Sequence, residues 1–230
     1  MAKQNQSSSS AIHLSGIDLT AIVIWILPVL YLIYVFPALP ESVPMHFDAK
    51  GRADDFGSKS NHLLIMIGLA VFNILIYLLV RNVNRLDPKA INSLSTKTYR
   101  NLALAILIFL SAIHMIITHS TAQGELSLDK ALLALMGFFF AYLGWIMKEI
   151  QPNYFIGIRT PWTLEDRENW KATHSMGSRY FFWGGLFIAL AAFILGRPAG
   201  LIVCISALLV ITLIPLTYSY LFFRKKRNEQ

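Results

Sequence analysis

Six stretches of mostly apolar residues decide what this chain can fold into. They lie at roughly 19–36, 62–80, 102–118, 131–147, 180–196 and 201–223. Each approaches the roughly 20 residues that a helix needs to cross hydrocarbon. None alternates as the strands of a transmembrane barrel do. Only 14% of the residues are charged, against about 25% for a soluble globular domain. The predicted fold class is an all-α integral membrane protein with six transmembrane helices. Residues 17–230 form one six-helix membrane domain, behind a polar tail over 1–16 that is predicted to be disordered, being rich in serine and glutamine with nothing to bury. The first run is too long for a signal-peptide core and lacks a small-residue cleavage site at Phe36-Pro37-Ala38-Leu39-Pro40, so it reads as a retained helix.

The net charge of +7 raises the question of a nucleic-acid partner. Its distribution argues against one. Six spans put the tail, the 81–101 and 148–179 loops and the C-terminal tail on one side, with one, five, five and four Lys/Arg: fifteen of the 20. Positive residues accumulate on the cytoplasmic side, so both termini are predicted to be cytoplasmic. Arg224-Lys225-Lys226-Arg227 reads as an anchor beside anionic lipid. Cys204, the single cysteine, sits in the last run and reads as a small apolar residue, and it excludes an intramolecular disulfide. No phosphate-binding, dinucleotide or zinc-hydrolase motif occurs, and no cofactor is expected.

Two loops are too rich for simple connectors. The loop over 37–61, predicted to face outward, contains Pro37, Pro40 and Pro44, which forbid a continued helix and favour extended backbone. Asp48-Ala49-Lys50-Gly51 has the pattern of a tight turn, and Ser58 or Ser60 can cap the second span. His46, Asp54, Asp55 and Lys59 stand between them. His46 and Phe47 pack the loop down while the aspartates make turns, or the group contacts a ligand or peptide, or His46 and the aspartates hold a metal.

The inward loop over 148–179 is the more unusual. Pro152 ends the fourth helix near Ile150, and Asn153–Ile158 reads as extended. Gly157 permits close backbone approach or an unusual dihedral. Thr160-Pro161-Trp162 makes a corner and Thr163 is a good cap, with Leu164, Glu165 and Asp166 as a first turn. A short amphipathic helix from there to about Gly177 places Arg167, Trp170, Lys171 and His174 on one face, before Gly177 loosens the join to the fifth span. Arg159 with His174 suits an anion or a proton-transfer pair; the loop equally suits a plug between helix ends, or an interfacial brace anchored by its tryptophans. Within the spans, Asn73, Ser111 and His114 either line a polar path or make interhelical hydrogen bonds.

PNYFIGIRTPWTLEDRENWKATHSMG at 152–177 closely resembles the signature of the SdpI-like immunity protein family, and LPESVPMHFDAKGRADDFGSK at 39–59 resembles the outward-loop domain of unknown function that accompanies it. The family's pattern falls here on Asn153, Gly157, Arg159, Thr160, Pro161, Trp162, Trp170 and His174, and in the outer loop on Pro44, His46, Phe47, Gly51, Asp54 and Lys59. Ser175 departs from it, where arginine is usual. The resemblance implies a multi-pass protein of the bacterial plasma membrane that protects its host against a secreted, membrane-active peptide toxin. It also implies a peptide toxin as partner and, in some members, signalling linked to a cytoplasmic repressor. A transporter or permease is the alternative; an intramembrane enzyme lacks a nucleophile and base at recognisable spacing.

Overall fold

Each apolar run is the centre of a helix in the computed structural model, which describes residues 16–83, 96–126 and 129–229. Among these residues six helices are long and apolar enough to cross a membrane. They are α1 (Gly16–Val35), α2 (Lys59–Arg81), α3 (Thr96–Gln123), α4 (Asp129–Met147), α6 (Arg167–Ile194) and α7 (Ala199–Asn228). A five-residue helix, α5 (Pro161–Glu165), precedes α6. The predicted disordered tail lies outside the described residues except for Gly16, which opens α1.

The helices form two groups. In the first, α1 and α2 pack on α3 around Ala21, Tyr77, Ala103 and Leu107. In the second, α6 packs between α4 and α7, with Leu133, Ile188, Ala192 and Cys204 at the centre. Cys204 is buried there as a small apolar side chain. The α4–α6 contact is backbone on backbone. A Cβ on Gly185 would stand 2.3 Å from the Ala141 nitrogen, and one on Gly137 would stand 2.4 Å from the Ala189 nitrogen. Apolar side chains supply little drive for association inside lipid, so close backbone approach through small residues carries it. Leu64, Phe193 and Ile194 remain exposed, as lipid-facing residues must.

Two details depart from the sequence expectation. The 37–61 loop, expected as extended backbone with a tight turn in an all-α fold, pairs into strands: β1 (Ser42–Phe47) and β2 (Ala53–Ser58) form an antiparallel hairpin, with bulges on either side of His46. Pro44 is tolerated because the sheet has only two strands and leaves an unpaired edge. The second departure concerns α6, which runs unbroken through Gly177 into the fifth span rather than ending there. Gly177 is a packing position: a Cβ would lie 2.8 Å from Met147 Sδ and 2.9 Å from Ile158 Cδ1. The short helix in the loop is α5 alone, and Trp170 and His174 belong to the first turns of the span helix.

Helix direction therefore gathers the loops at two ends. One end holds the hairpin, residues 124–126 and Arg197. The other holds the Asp18–Arg81 pair, residues 148–166 and Lys226.

Candidate functional site

The hairpin turn closes as its sequence predicts. The Gly51 amide donates to the Asp48 carbonyl at 2.8 Å, and Gly51 has φ +79°. Asp48 Oδ1 accepts from the amides of Lys50 and Arg52, and Oδ2 accepts from the Arg52 guanidinium. The Arg52 amide, opposed by burial and helped by the guanidinium and the Lys50 amide, holds the Asp48 carboxyl below its ordinary 3.8. Arg197, from the α6–α7 connection, donates to the Lys50 and Leu126 carbonyls. A Cβ on Gly51 would stand 1.1 Å from Arg197 Nη1, so only glycine admits this clamp. Arg197 carries no local sequence signal: it is a lone basic residue in a short connection, and the carbonyls it meets lie 147 and 71 residues away.

Val43 and Pro44 are the hairpin residues that bury, whereas His46 faces outward. Its side chain is 68% exposed, and Nδ1 lies 2.6 Å from Asp54 Oδ1. This corrects the expectation that His46 packs the loop down: the bulges beside it turn it off the packed face. Phe47 is half-buried. Asp55 accepts from the Phe56 amide, and Phe56 is 57% exposed. Among the described residues no group of three or more His, Cys, Asp or Glu side chains comes together as metal ligands. Ser58, not Ser60, caps α2 by accepting from the Asn61 amide at 3.1 Å. Lys59 fixes the root of the hairpin, 2.7 Å from Glu41 Oε1 and over the Phe36 ring.

At the other end the signature loop satisfies itself. Asn153, fully buried, accepts from the amides of Phe155 and Ile156 and donates to the carbonyls of Gln151 and Ile156. It holds a compact turn where extended backbone was predicted; the side-chain amide replaces the strand partner that this segment lacks. Thr160 caps α5 and Thr163 bonds back to the Thr160 amide, forming a capping box. Pro161 takes the first helical position, where its missing N–H costs nothing. The predicted cap at Thr163 is thus displaced by three residues. Asp166 caps α6 instead, accepting from Glu168 and Asn169.

Ser219 on α7 is the common partner of this end. Trp162 Nε1 donates to its hydroxyl, the Thr160 hydroxyl lies 3.2 Å from it, and Asn169 donates to its carbonyl at 3.0 Å. Trp162 packs against Tyr220 and Phe223. Lys226 reaches Asp166 at 2.9 Å and Glu168 at 2.8 Å. Burial works to raise the Asp166 carboxyl, but the Lys226 ammonium and the amides of Glu168 and Asn169 outweigh it and hold it below 3.8.

Trp170 donates to the Ile150 carbonyl and stacks on His174 with ring centroids 4.0 Å apart. His174 Nδ1 lies 2.8 Å from the Trp170 carbonyl, and Nε2 accepts from the Ile158 amide. Arg159 is exposed and donates to the Tyr154 carbonyl, not to His174. The two residues do not form the anion or proton-transfer pair that the sequence suggested, because His174 spends both nitrogens on backbone.

At the same end of the bundle, Asp18 on α1 bonds Arg81 through both oxygens at 2.8 Å and Tyr77 at 2.9 Å. Asn73, Ser111 and His114 are buried as predicted, together with His62, Thr118 and Ser120. These six residues carry buried polar atoms that have no hydrogen-bond partner among the described residues. The expected interhelical hydrogen bonds of Asn73, Ser111 and His114 are therefore absent among the described residues.

Residues 149–219 match the SdpI/YfhL protein family, and residues 23–71 match a domain of unknown function, DUF1648. The chain is 26% identical over 213 residues to the immunity protein SdpI of Bacillus subtilis (strain 168), covering 93% of this chain and 99% of that protein. No solved structure matches the chain.

Proposed function

We propose that the chain, whose residues 149–219 match the SdpI/YfhL family, is a membrane immunity protein, protecting a bacterium from a secreted membrane-active peptide toxin. The observation that carries this reading is similarity along almost the whole length of a protein named for immunity, through the hairpin as well as the signature loop. The protein resides in the plasma membrane with both termini in the cytoplasm, as the bias of its basic residues favours. It acts by binding rather than turnover, since His174 holds loop backbone with both nitrogens.

The hairpin faces the side from which a secreted toxin arrives. It offers His46, Asp54 and Phe56 as exposed contacts on a frame clamped by Arg197. The signature loop ties the ends of α4, α6 and α7 together and, where signalling occurs, is the surface that meets a cytoplasmic repressor. Expression in a toxin-sensitive strain should raise tolerance. Phe56→Ala with His46→Ala should lower it at unchanged membrane abundance. Unchanged sensitivity with wild-type protein, across several toxins of this class, would sink the reading.

Passage of a small solute or ion is a second reading, and the unpaired polar side chains between α2 and α3 favour it. It requires saturable flux in proteoliposomes that is lost in His114→Leu.

A further inference from the structure

A cleft of about 920 Å³ opens at the signature-loop end, between the end of α4, the turn at 150–152 and the start of α6. Three cations line it: Lys148, just after α4, and Arg167 and Lys171, one turn apart on α6. Among the described residues none of the three forms an ion pair, whereas Arg52, Lys59, Arg81 and Lys226 all do. Glu165 is the one carboxylate in the lining. The remaining wall is mixed: Ile150, Pro152, Leu164 and the Trp170–His174 stack stand beside Gln151 and Ser175. The stack is fixed by the Ile150 carbonyl and the Ile158 amide, so the wall is rigid before any ligand arrives.

We infer that this cleft binds a phosphoryl group carried on a glycerol-like or acyl-bearing molecule, with an anionic phospholipid as the source the surroundings favour. Three cations lining one cleft exceed what one carboxylate balances, and an arginine fork beside lysine point charges suits a phosphate. The volume falls within the range of small-molecule sites and far exceeds a bare anion. The cleft also sits where apolar α4 ends and polar chain begins, at headgroup level for a helix that spans the bilayer. Each such cation near an anionic surface adds attraction that amounts to about fivefold in affinity.

The inference is independent of the immunity reading, because it is tested by lipid retention on purified full-length protein. Native mass spectrometry in a neutral detergent would titrate phosphatidylglycerol and phosphatidylcholine separately. Wild type should retain one phosphatidylglycerol in preference to phosphatidylcholine. Lys171→Gln and Arg167→Gln should each weaken that retention about fivefold. Glu165→Gln should tighten it, a change that misfolding does not produce. In a second arm, inorganic phosphate and glycerol 3-phosphate are titrated without lipid; binding there with the same dependence on Lys171 and Glu165 upholds the phosphoryl site and assigns it to a soluble ligand. Equal retention of the two lipids with no binding of either soluble probe overturns the inference. So does retention that none of the three substitutions moves.

Discussion

The Ile158 amide donates to Nε2 of His174 at 3.1 Å. An amide can only donate, so Nε2 must be the bare nitrogen of the ring. The Trp170 carbonyl 2.8 Å from Nδ1 can only accept, so Nδ1 carries the proton. His174 is thereby fixed as one neutral tautomer, joining a helix carbonyl to a loop amide 16 residues away in sequence. Gly157 makes the approach possible. It has φ +114°, and a Cβ there would stand 2.4 Å from the same Nε2.

Gly157→Ala meets both a disfavoured dihedral and a clash with His174. The backbone term alone is about 1–3 kcal/mol. The signature loop of this variant should detach from α6 and become sensitive to protease at residues 151–160, with a lower unfolding temperature in detergent. Wild-type cleavage kinetics would show that the loop does not depend on this approach.

Ser219 gathers Trp162, Thr160 and Asn169 at one point on α7. Ser219→Ala keeps the carbonyl that accepts from Asn169, and the Thr160 hydroxyl keeps its bonds to Thr163, but the Trp162 N–H loses its acceptor. An orphaned buried partner costs about 1–3 kcal/mol. Thermal unfolding should shift down accordingly, and Trp162 fluorescence should move to the red as its ring loses the contact with Tyr220 and Phe223. Identical spectra and stability would remove Ser219 from the brace.

Much of this architecture was legible in the sequence, for reasons that can be named. Apolar runs report helices because hydrocarbon demands internally bonded backbone. Asp48 and Gly51 mark their turn because the αL position there admits glycine readily. Signals fail where the partner is remote. Asp18 and Arg81 look like ordinary charges at helix ends, yet form a part-buried pair across 63 residues. The hairpin hides because Ser42–Phe47 and Ala53–Ser58 do not alternate cleanly; each is held by pairing rather than by a buried face of its own. Thr163 looks like a cap, and only the reciprocal Thr160 bond shows that it is the third helical residue. The site residues His174 and Trp170 were found by type, but their roles depend on which backbone atoms meet them.

Asp166 lies under Lys226, and its carboxyl titrates below 3.8. A depressed carboxyl adds stability above the unfolded value, about 3.9, and loses it as pH falls through the folded one. Asp166→Asn keeps a competent helix cap and removes the charge. Wild type should be the more stable of the two at pH 7, with the gap closing below about pH 4. A gap that persists into acid would mean that Asp166 acts by shape alone.

Gly185 and Gly137 let the α4 and α6 backbones touch, with a Gly185 Cβ 2.3 Å from the Ala141 nitrogen. Rigid backbone on both sides leaves nothing to move aside. Gly185→Leu should separate the helices and yield little monodisperse protein. Gly196→Ala, where no atom lies within 4 Å of the added carbon, should behave as wild type. Equal yields of the two variants would contradict the close-packed pair.

Thr118 on α3 is fully buried, and its hydroxyl has no hydrogen-bond partner among the described residues. Replacing such a group by an apolar one of the same shape removes a desolvation penalty without opening a cavity, so the exchange is neutral or stabilising. Thr118→Val therefore should unfold at the same temperature as wild type or higher, by an amount on the order of 1 kcal/mol. Leu107 on the same helix, equally buried, supplies the contrast: Leu107→Ala should cost about 2–5 kcal/mol through the cavity it leaves. If Thr118→Val proves as damaging as Leu107→Ala, the hydroxyl has a partner that matters, and the seam between α2 and α3 works as a hydrated path. That outcome would move weight from the immunity reading to solute passage, and the flux of His114→Leu in proteoliposomes would then decide between them.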